Sequence, residues 1–482
     1  MKIIIFKFFL GILLLLFLSS CQSNMATGNK QFVLMSANEE KEIGSSQHPI
    51  IVKQFGGKYD DDQLNNYVSD LGNFIKSKSE MPNIEWNFTI LDSPVVNAFA
   101  LPGGYVYVTR GLLALANSEA ELASVLGHEI GHVTARHSAQ RHAKATLAGI
   151  GLDILNQVVG TPGVSKVVGI GADLALRAYS RSDEYEADIL GMRYTSKAGF
   201  DPSAAARFLS SLGRESRMGY SREGRGQIPE LLSTHPRTPA RVERAMEESN
   251  ILNVQNPIEG RSNYLSKIDG LLYGNDRKDG YITNNSFIHL DIGFKFLIPE
   301  GFTVQNNPEN VIANNGSSYV IFDGIKVERG TNPLNYIRNN NSVYKNMESI
   351  ETNGIKGATA YIGFKNFEDK KLATRLVVYA WKEDFYFRFY FLYPKNIDKN
   401  TMDSFNDTIY SFQKISDDEK NTYKPLRIKI VNVGEGIKVS DIASRMDISE
   451  KKEEYFRLLN GMRVEDNLKP GQKVKIVIRS EY

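Results

Sequence analysis

His128-Glu129-Ile130-Gly131-His132 is the stretch on which the reading of this chain turns. Two histidines stand four positions apart, with a glutamate directly after the first. On an α-helix four residues make about one turn, so both imidazoles leave the same face, one above the other. Neutral imidazole nitrogen is a preferred zinc ligand, and two on one rigid face supply half of a tetrahedral site. Glu129 projects beside them, placed to take a proton from an attacking water. That is the equipment for hydrolysing an amide bond. The alternative reading of the same five residues is an ordinary polar helix face.

The surrounding residues weigh on that choice. Ser118-Glu119-Ala120-Glu121 reads as a capping box that opens a helix. Leu122, Val125, Leu126, Ile130 and Val133 then recur at helical spacing, so the motif lies on an amphipathic helix. Of only seven histidines in the chain, His128, His132, His137 and His142 fall close together here.

A catalytic zinc takes three protein ligands and keeps one position open. His137 follows His132 by five residues, and five helical steps of about 100° turn it away from the ligand face. The intervening glycine of the HExxHxxGxxH pattern is also missing. His137 and His142 therefore read as structural or surface residues. Tyr179-Ser180-Arg181-Ser182-Asp183-Glu184-Tyr185-Glu186-Ala187-Asp188 opens a second helix running towards Lys197. Glu184 and Asp188 share one of its faces. One carboxylate suits the metal, and the other suits the free N–H of a ligating histidine. The alternative is a solvated acidic helix start, which the helix dipole favours by itself.

HExxH followed by ExxAD resembles the gluzincin zinc metallopeptidases of the HtpX, BepA, OMA and CAAX-prenyl-endopeptidase type. Two further segments share the resemblance: Asn97-Ala98-Phe99-Ala100-Leu101-Pro102-Gly103-Gly104-Tyr105-Val106, and Thr234-His235-Pro236 followed by Arg241. The likeness spans roughly residues 28–250. It implies His128, His132 and Glu184 as ligands of one Zn2+ per chain, Glu129 as general base and acid, and Asp188 as the histidine's carboxylate partner. It places His235 at the metal cleft, either polarising the scissile carbonyl or occupying the open metal position in a resting form. Arg241 either stabilises developing negative charge or pairs with an acidic neighbour. Asn97, Ala98 and Phe99 are expected to bind substrate, since an extended peptide adds readily to a sheet edge. The same residues also read as an ordinary hairpin with Tyr105–Thr109.

The N-terminus reads as an export signal. Lys2 and Lys7 flank the apolar run Phe8–Leu18, which is of signal-peptide length and short of the about 20 residues a membrane span needs. Leu18-Ser19-Ser20-Cys21 resembles the bacterial lipobox, and Cys21 is the sole cysteine of the 482 residues. It has no internal disulfide partner, and lipidation there supplies the several acyl chains that stable anchoring requires. Gln22 follows, with no aspartate to signal inner-membrane retention. The expected place is the bacterial cell envelope, as a lipoprotein anchored to the outer membrane and facing the periplasm. Removal of Lys2 and Lys7 leaves the basic and acidic residues equal, at 56 each. That balance gives no case for nucleic acid.

The expected fold class is α+β, in several parts. Residues 1–20 are the signal peptide, 21–35 a polar lipid-anchored tether, and 36–258 a mainly helical zincin-type peptidase domain with a small edge sheet. Within that domain, the small-residue stretch Ala143–Ala178 reads as a helical hairpin, and Gly219–Gly226 as a loop rich in glycine and arginine. Residues 261–415, rich in aromatic and β-branched residues, form a β-rich α+β domain of unknown role. Residues 426–479 run strand–helix–helix–strand, and with Leu459-Asn460-Gly461 and Leu468–Ile476 they resemble a LysM module. LysM modules bind N-acetylglucosamine-containing glycans such as peptidoglycan. Gly434-Glu435-Gly436 departs from the usual Gly-Asp-Thr, so a packing role stands beside the glycan role.

The leading expectation is a zinc metalloendopeptidase of envelope protein quality control, with unfolded or misassembled envelope proteins as substrates. The alternatives are a chaperone-like or cell-wall-binding scaffold, and a hydrolase of peptidoglycan peptides.

Overall fold

A computed structural model describes residues 21–144, 146, 178–218, 235, 239–283, 285–307, 309–341, 343–367, 370–448 and 451–480. The signal peptide, most of the stretch 143–178, the loop 219–226 and the residues flanking His235 lie outside these. The chain divides into two compact units. One takes the residues up to Arg217, Ile228–Tyr273 and Arg427–Ile478; the other centres on Gly274–Leu426. Among the described residues no helix is long and apolar enough to cross a membrane.

The first unit opens on two short paired strands, β1 (Cys21–Ser23) and β2 (Lys30–Phe32). Helix α1 (Ala37–Gln54) starts at a capping box in which Ser36 and Glu39 satisfy each other's backbone N–H. It carries Pro49 in its interior. Helix α2 (Asp62–Lys76) buries Leu64, Val68, Leu71 and Ile75, the stripe that a 3.6-residue period places on one face. Strand β3 (Asn87–Leu91) pairs parallel to β5 (Tyr105–Thr109), and β4 (Ala98–Leu101) pairs antiparallel to β5 at the sheet edge. Gly103 and Gly104 make the tight turn between β4 and β5 with φ of +81° and +91°, where side chains are strained.

Helix α3 (Arg110–Leu115) leads into α4 (Glu119–Thr134), which carries the HExxH residues and is buried nearly all round. Its N-cap Ser118 accepts from Glu121 N, but the Glu121 carboxylate returns to Asn117 N and not to Ser118, so the expected capping box is displaced by one residue. Helix α5 (Arg181–Lys197) begins at a full box of Ser180 and Asp183. Helices α6 (Ala204–Met218), α7 (Pro239–Leu252) and α8 (Arg261–Lys267) follow.

Three sequence expectations change here. Residues 21–35 are not a free tether along their length: Asn24, Ala26, Val33 and Met35 are buried, and Asn24 Nδ2 donates to Thr134 O at 2.9 Å. The first unit extends past 258, the expected limit of the zincin-type domain, to Tyr273, because α8 buries Tyr264 and Leu265 and Tyr264 Oη donates to Leu113 O at 2.6 Å. The tail packs with the same unit. Strands Lys473–Arg479 and Leu426–Asn432 form one sheet with Leu272–Tyr273. From that sheet the buried Lys475 Nζ donates to Ala114 O and Ala116 O, both at 2.7 Å. These are carbonyls at the end of α3, which that helix leaves unpaired.

The second unit is an antiparallel sheet of seven strands running from Thr303–Asn306 at one edge to Lys345–Thr352 at the other, with a four-stranded sheet that includes Phe294–Leu297. Within it Lys370–Lys382 and Phe385–Tyr393 form an antiparallel hairpin, and a helix spans Lys399–Ser411. Phe287, Phe294, Phe322, Phe389, Phe391 and Phe405 are among the side chains of its core.

Candidate metal centre

Two helices build the centre, and glycine lets them approach. A Cβ on Gly191 of α5 would lie 2.6 Å from His128 N, one on Gly131 2.9 Å from Ala187 O, and one on Gly127 2.9 Å from Gly191 O. Backbone therefore meets backbone along this seam. That approach brings Glu184, on the first turn of α5, over the His128/His132 face of α4.

His128, His132, Glu184 and His235 each offer one ligand atom, and these atoms lie within 4.8 Å of one another. Glu184 Oε1 is 3.5 Å from His132 Nε2 and 2.9 Å from His235 Nδ1, and Glu184 Oε2 is 3.7 Å from His128 Nε2. His128 Nε2 lies 3.0 Å from His132 Nε2 and 3.2 Å from His235 Nδ1. Ligand bonds of about 2.0–2.2 Å put tetrahedral donors about 3.4 Å apart, and these separations bracket that value. The donor set, nitrogen and carboxylate oxygen, is also the zinc set.

Burial pushes the His132 imidazole well below its ordinary pKa, so the ring is neutral, as a ligand must be. Burial raises the Glu184 carboxyl, but His235 and His132 more than reverse this and hold it well below the usual range. Burial likewise raises Asp188, and Arg241 and His128 bring it below its ordinary value. His235 is pushed down by burial and raised above its ordinary value by Glu184 and Glu129. Glu129 is the exception among the carboxylates: burial raises it, and nothing around it reverses the shift. Its side chain is buried with neither oxygen hydrogen-bonded, and His235 Nε2 stands 3.7 Å away. An orphaned carboxylate beside converging metal donors is costly for the fold and suited to proton transfer.

The outer contacts are specific. Asp188 Oδ1 lies 2.9 Å from His128 Nδ1. Arg241, from α7, holds Asp188 with Nε and Nη2 at 2.8 Å each and reaches Glu184 Oε2 with Nη1 at 2.5 Å. Of the two roles read for Arg241, the structure therefore has the ion pair. His137 is buried, not a surface residue, and its Nδ1 lies 2.8 Å from His132 Nδ1. Tyr179, unnoticed in the sequence, stacks on the His132 ring at 3.8 Å between centroids, and Arg141 lies over the Tyr179 ring.

The expected substrate strand stands apart from this cluster in one respect. Ala98 and Phe99 are fully buried, and Phe99 stacks on Tyr107 at 4.9 Å within the core. The side chains of Ala98 and Phe99 therefore pack in the core, and the strand addition expected at this edge would involve its main chain alone. Asn97 is also buried, with neither side-chain polar atom hydrogen-bonded. A narrow cleft lined by Glu40, Ala100, Leu101, His132 and Arg136 runs between the end of β4 and the end of α4.

Such a donor set, on paired helices beside an edge strand, suits a zinc ion. Residues 62–249 match the family model described as Peptidase family M48. The chain is similar to the beta-barrel assembly-enhancing protease of Yersinia pestis, at 32% identity over 42% of this chain and 43% of the relative. Its likeness to the protein of that name in Escherichia coli K12 is 30% identity over 48% of each. The mitochondrial metalloendopeptidase OMA1 of Schizosaccharomyces pombe is 31% identical over 46% of this chain and 64% of its own length. The chain spans about half the length of the bacterial relatives it matches.

Proposed function

We propose that this chain is a zinc-dependent endopeptidase of the bacterial periplasm, held to the outer membrane by lipid on Cys21, that cleaves unfolded or misassembled envelope proteins. The observation that carries the reading is the convergence of His128, His132, Glu184 and His235 beside the orphaned carboxylate of Glu129. The name beta-barrel assembly-enhancing protease, borne by the bacterial relatives, supports an envelope substrate.

Bound zinc supplies a Lewis acid for the scissile carbonyl and acidifies water. The chain does the rest. His128, His132 and Glu184 hold the ion. Glu129, with its carboxyl raised by burial, accepts the proton of the attacking water and returns it to the leaving amine. The edge of β4 aligns the peptide by main-chain hydrogen bonds. Asp188 fixes His128, and Arg241 fixes Asp188 and Glu184. His235 is the fourth donor of a set that needs only three, so it serves as the occupant of the open position in a resting enzyme.

The strand–helix–helix–strand tail keeps a second reading in play, hydrolysis of cell-wall cross-link peptides. The test is incubation of the purified chain with unfolded casein and, separately, with sacculi, each with and without a chelator. Chelator-sensitive cleavage of casein alone is expected. Release of peptides from sacculi in place of casein cleavage selects the cell-wall reading, and cleavage of neither selects a scaffold.

A further inference from the structure

The two histidines of α4 are supported differently on the side away from the donor cluster. His128 meets a carboxylate directly, at Asp188. His132 meets one through another imidazole. His132 Nδ1 lies 2.8 Å from His137 Nδ1, His137 Nε2 lies 3.0 Å from Glu186 Oε2, and Asn29 Nδ2 donates to Glu186 Oε1 at 3.1 Å. The proton positions follow from chemistry. A ligating Nε2 leaves the His132 proton on Nδ1, so His132 donates to His137. His137 then carries its own proton on Nε2 and donates to the Glu186 carboxylate. Each contact has one donor and one acceptor, and the His137 side chain is wholly buried.

Asn29 lies just before β2, in the segment that the sequence had suggested was a tether. That segment is fastened around the end of α4 and along α5. Besides Asn24 on Thr134 O, Arg193 donates to Ala26 O at 3.1 Å, Gln140 to Gln31 at 2.8 Å and Arg136 to Met35 O at 2.6 Å. Val33 and Met35 pack against Ala139, two residues beyond His137.

We propose that His137, Glu186 and Asn29 form a positioning arm that fixes the tautomer and orientation of His132, so that the N-terminal segment 24–35 helps to set the affinity of the metal centre. The inference rests on the zinc reading of that centre. Partners of this kind bear on metal affinity because a ring locked in the ligating tautomer loses less freedom on binding, and a carboxylate behind it makes the nitrogen a stronger donor.

The test is a competition titration of the full-length chain with zinc against a chromophoric chelator, with thermal unfolding of the zinc-free protein run in parallel. His137→Leu and Glu186→Ala are expected to weaken zinc by roughly 10–100-fold. His137→Gln, which keeps an acceptor towards His132 and a donor towards Glu186, is expected to recover most of that loss. Asn29→Ala is expected to show a smaller loss in the same direction, with the zinc-free unfolding temperature unchanged. Zinc affinity within about twofold of the parent in both His137→Leu and Glu186→Ala would overturn the arm. So would an equal loss in His137→Gln and His137→Leu. If His137→Leu fails to fold, Glu186→Ala decides alone, since that side chain is 30% exposed. His132→Ala separates the two claims: undiminished zinc binding there overturns the metal centre itself, and abolished binding leaves the arm to be judged on the other variants.

Discussion

In the metal cleft, Glu129 is buried with both carboxylate oxygens unpaired, whereas in the β-rich unit the buried Tyr379 hydroxyl donates to Ile409 O at 2.7 Å amid phenylalanine rings. His235 Nε2 in the same cluster, and the buried side-chain amide of Asn97 on the strand side, are likewise without hydrogen bonds. The second core is packed as cores ordinarily are, with Phe389 ringed by Phe296 at 5.0 Å and Phe322 at 4.7 Å. A buried polar group without a partner costs on the order of 1–3 kcal/mol, and more when charged. A fold retains several in one place where chemistry will use them. The contrast sets the unpaired polar groups of the first unit's candidate centre against the paired hydroxyl in the second unit's aromatic core.

Glu129→Gln is expected to break the contrast most. It removes the proton acceptor, so proteolysis should fall by roughly 10²–10⁴-fold, while zinc content stays at the parent level. Its unfolding temperature should not fall, since a neutral amide is easier to bury than a carboxylate. A variant that still cleaved casein at the parental rate would refute the role given to Glu129. Phe389→Ala should act in the opposite sense. Loss of a fully buried ring costs about 3–5 kcal/mol, read by denaturant unfolding of the β-rich unit, with zinc affinity unchanged. A matched loss of zinc would show that the two regions are not independent in energy. His235→Ala sharpens the account within the cleft and has the smallest expected effect. Initial casein cleavage should rise several-fold if His235 occupies the open position, and a fall would favour its action on the scissile carbonyl.

The sequence made the metal helices legible because both signals are local. The spacing of His128 and His132, and of Glu184 and Asp188, puts each pair on one helix face whatever the rest of the chain does. His137, read as structural or surface and not as a ligand, is structural, but its place behind His132 was not legible. Five helical steps turn a side chain away only where the helix continues, but α4 ends at Thr134, and Arg136 takes a φ of +57° that turns the chain back. His137 thereby returns behind His132. Arg136 is not a glycine or asparagine, so no residue type advertises that turn. The glycine seam of Gly127, Gly131 and Gly191 was visible as letters but needed the facing helix to acquire meaning. The packed N-terminal segment and α8 were hidden for another reason. Both are short and polar in composition, and what holds them is hydrogen bonds to residues some 100 or more positions away.

The account depends most directly on metal content. Zinc measured in the purified full-length chain and in Glu184→Ala should give one ion per parent chain and a clear deficit in the variant, with the variant still folded. Absence of zinc from the parent, or equal zinc in both, would contradict the coordination by His128, His132 and Glu184 on which the proposed peptidase rests.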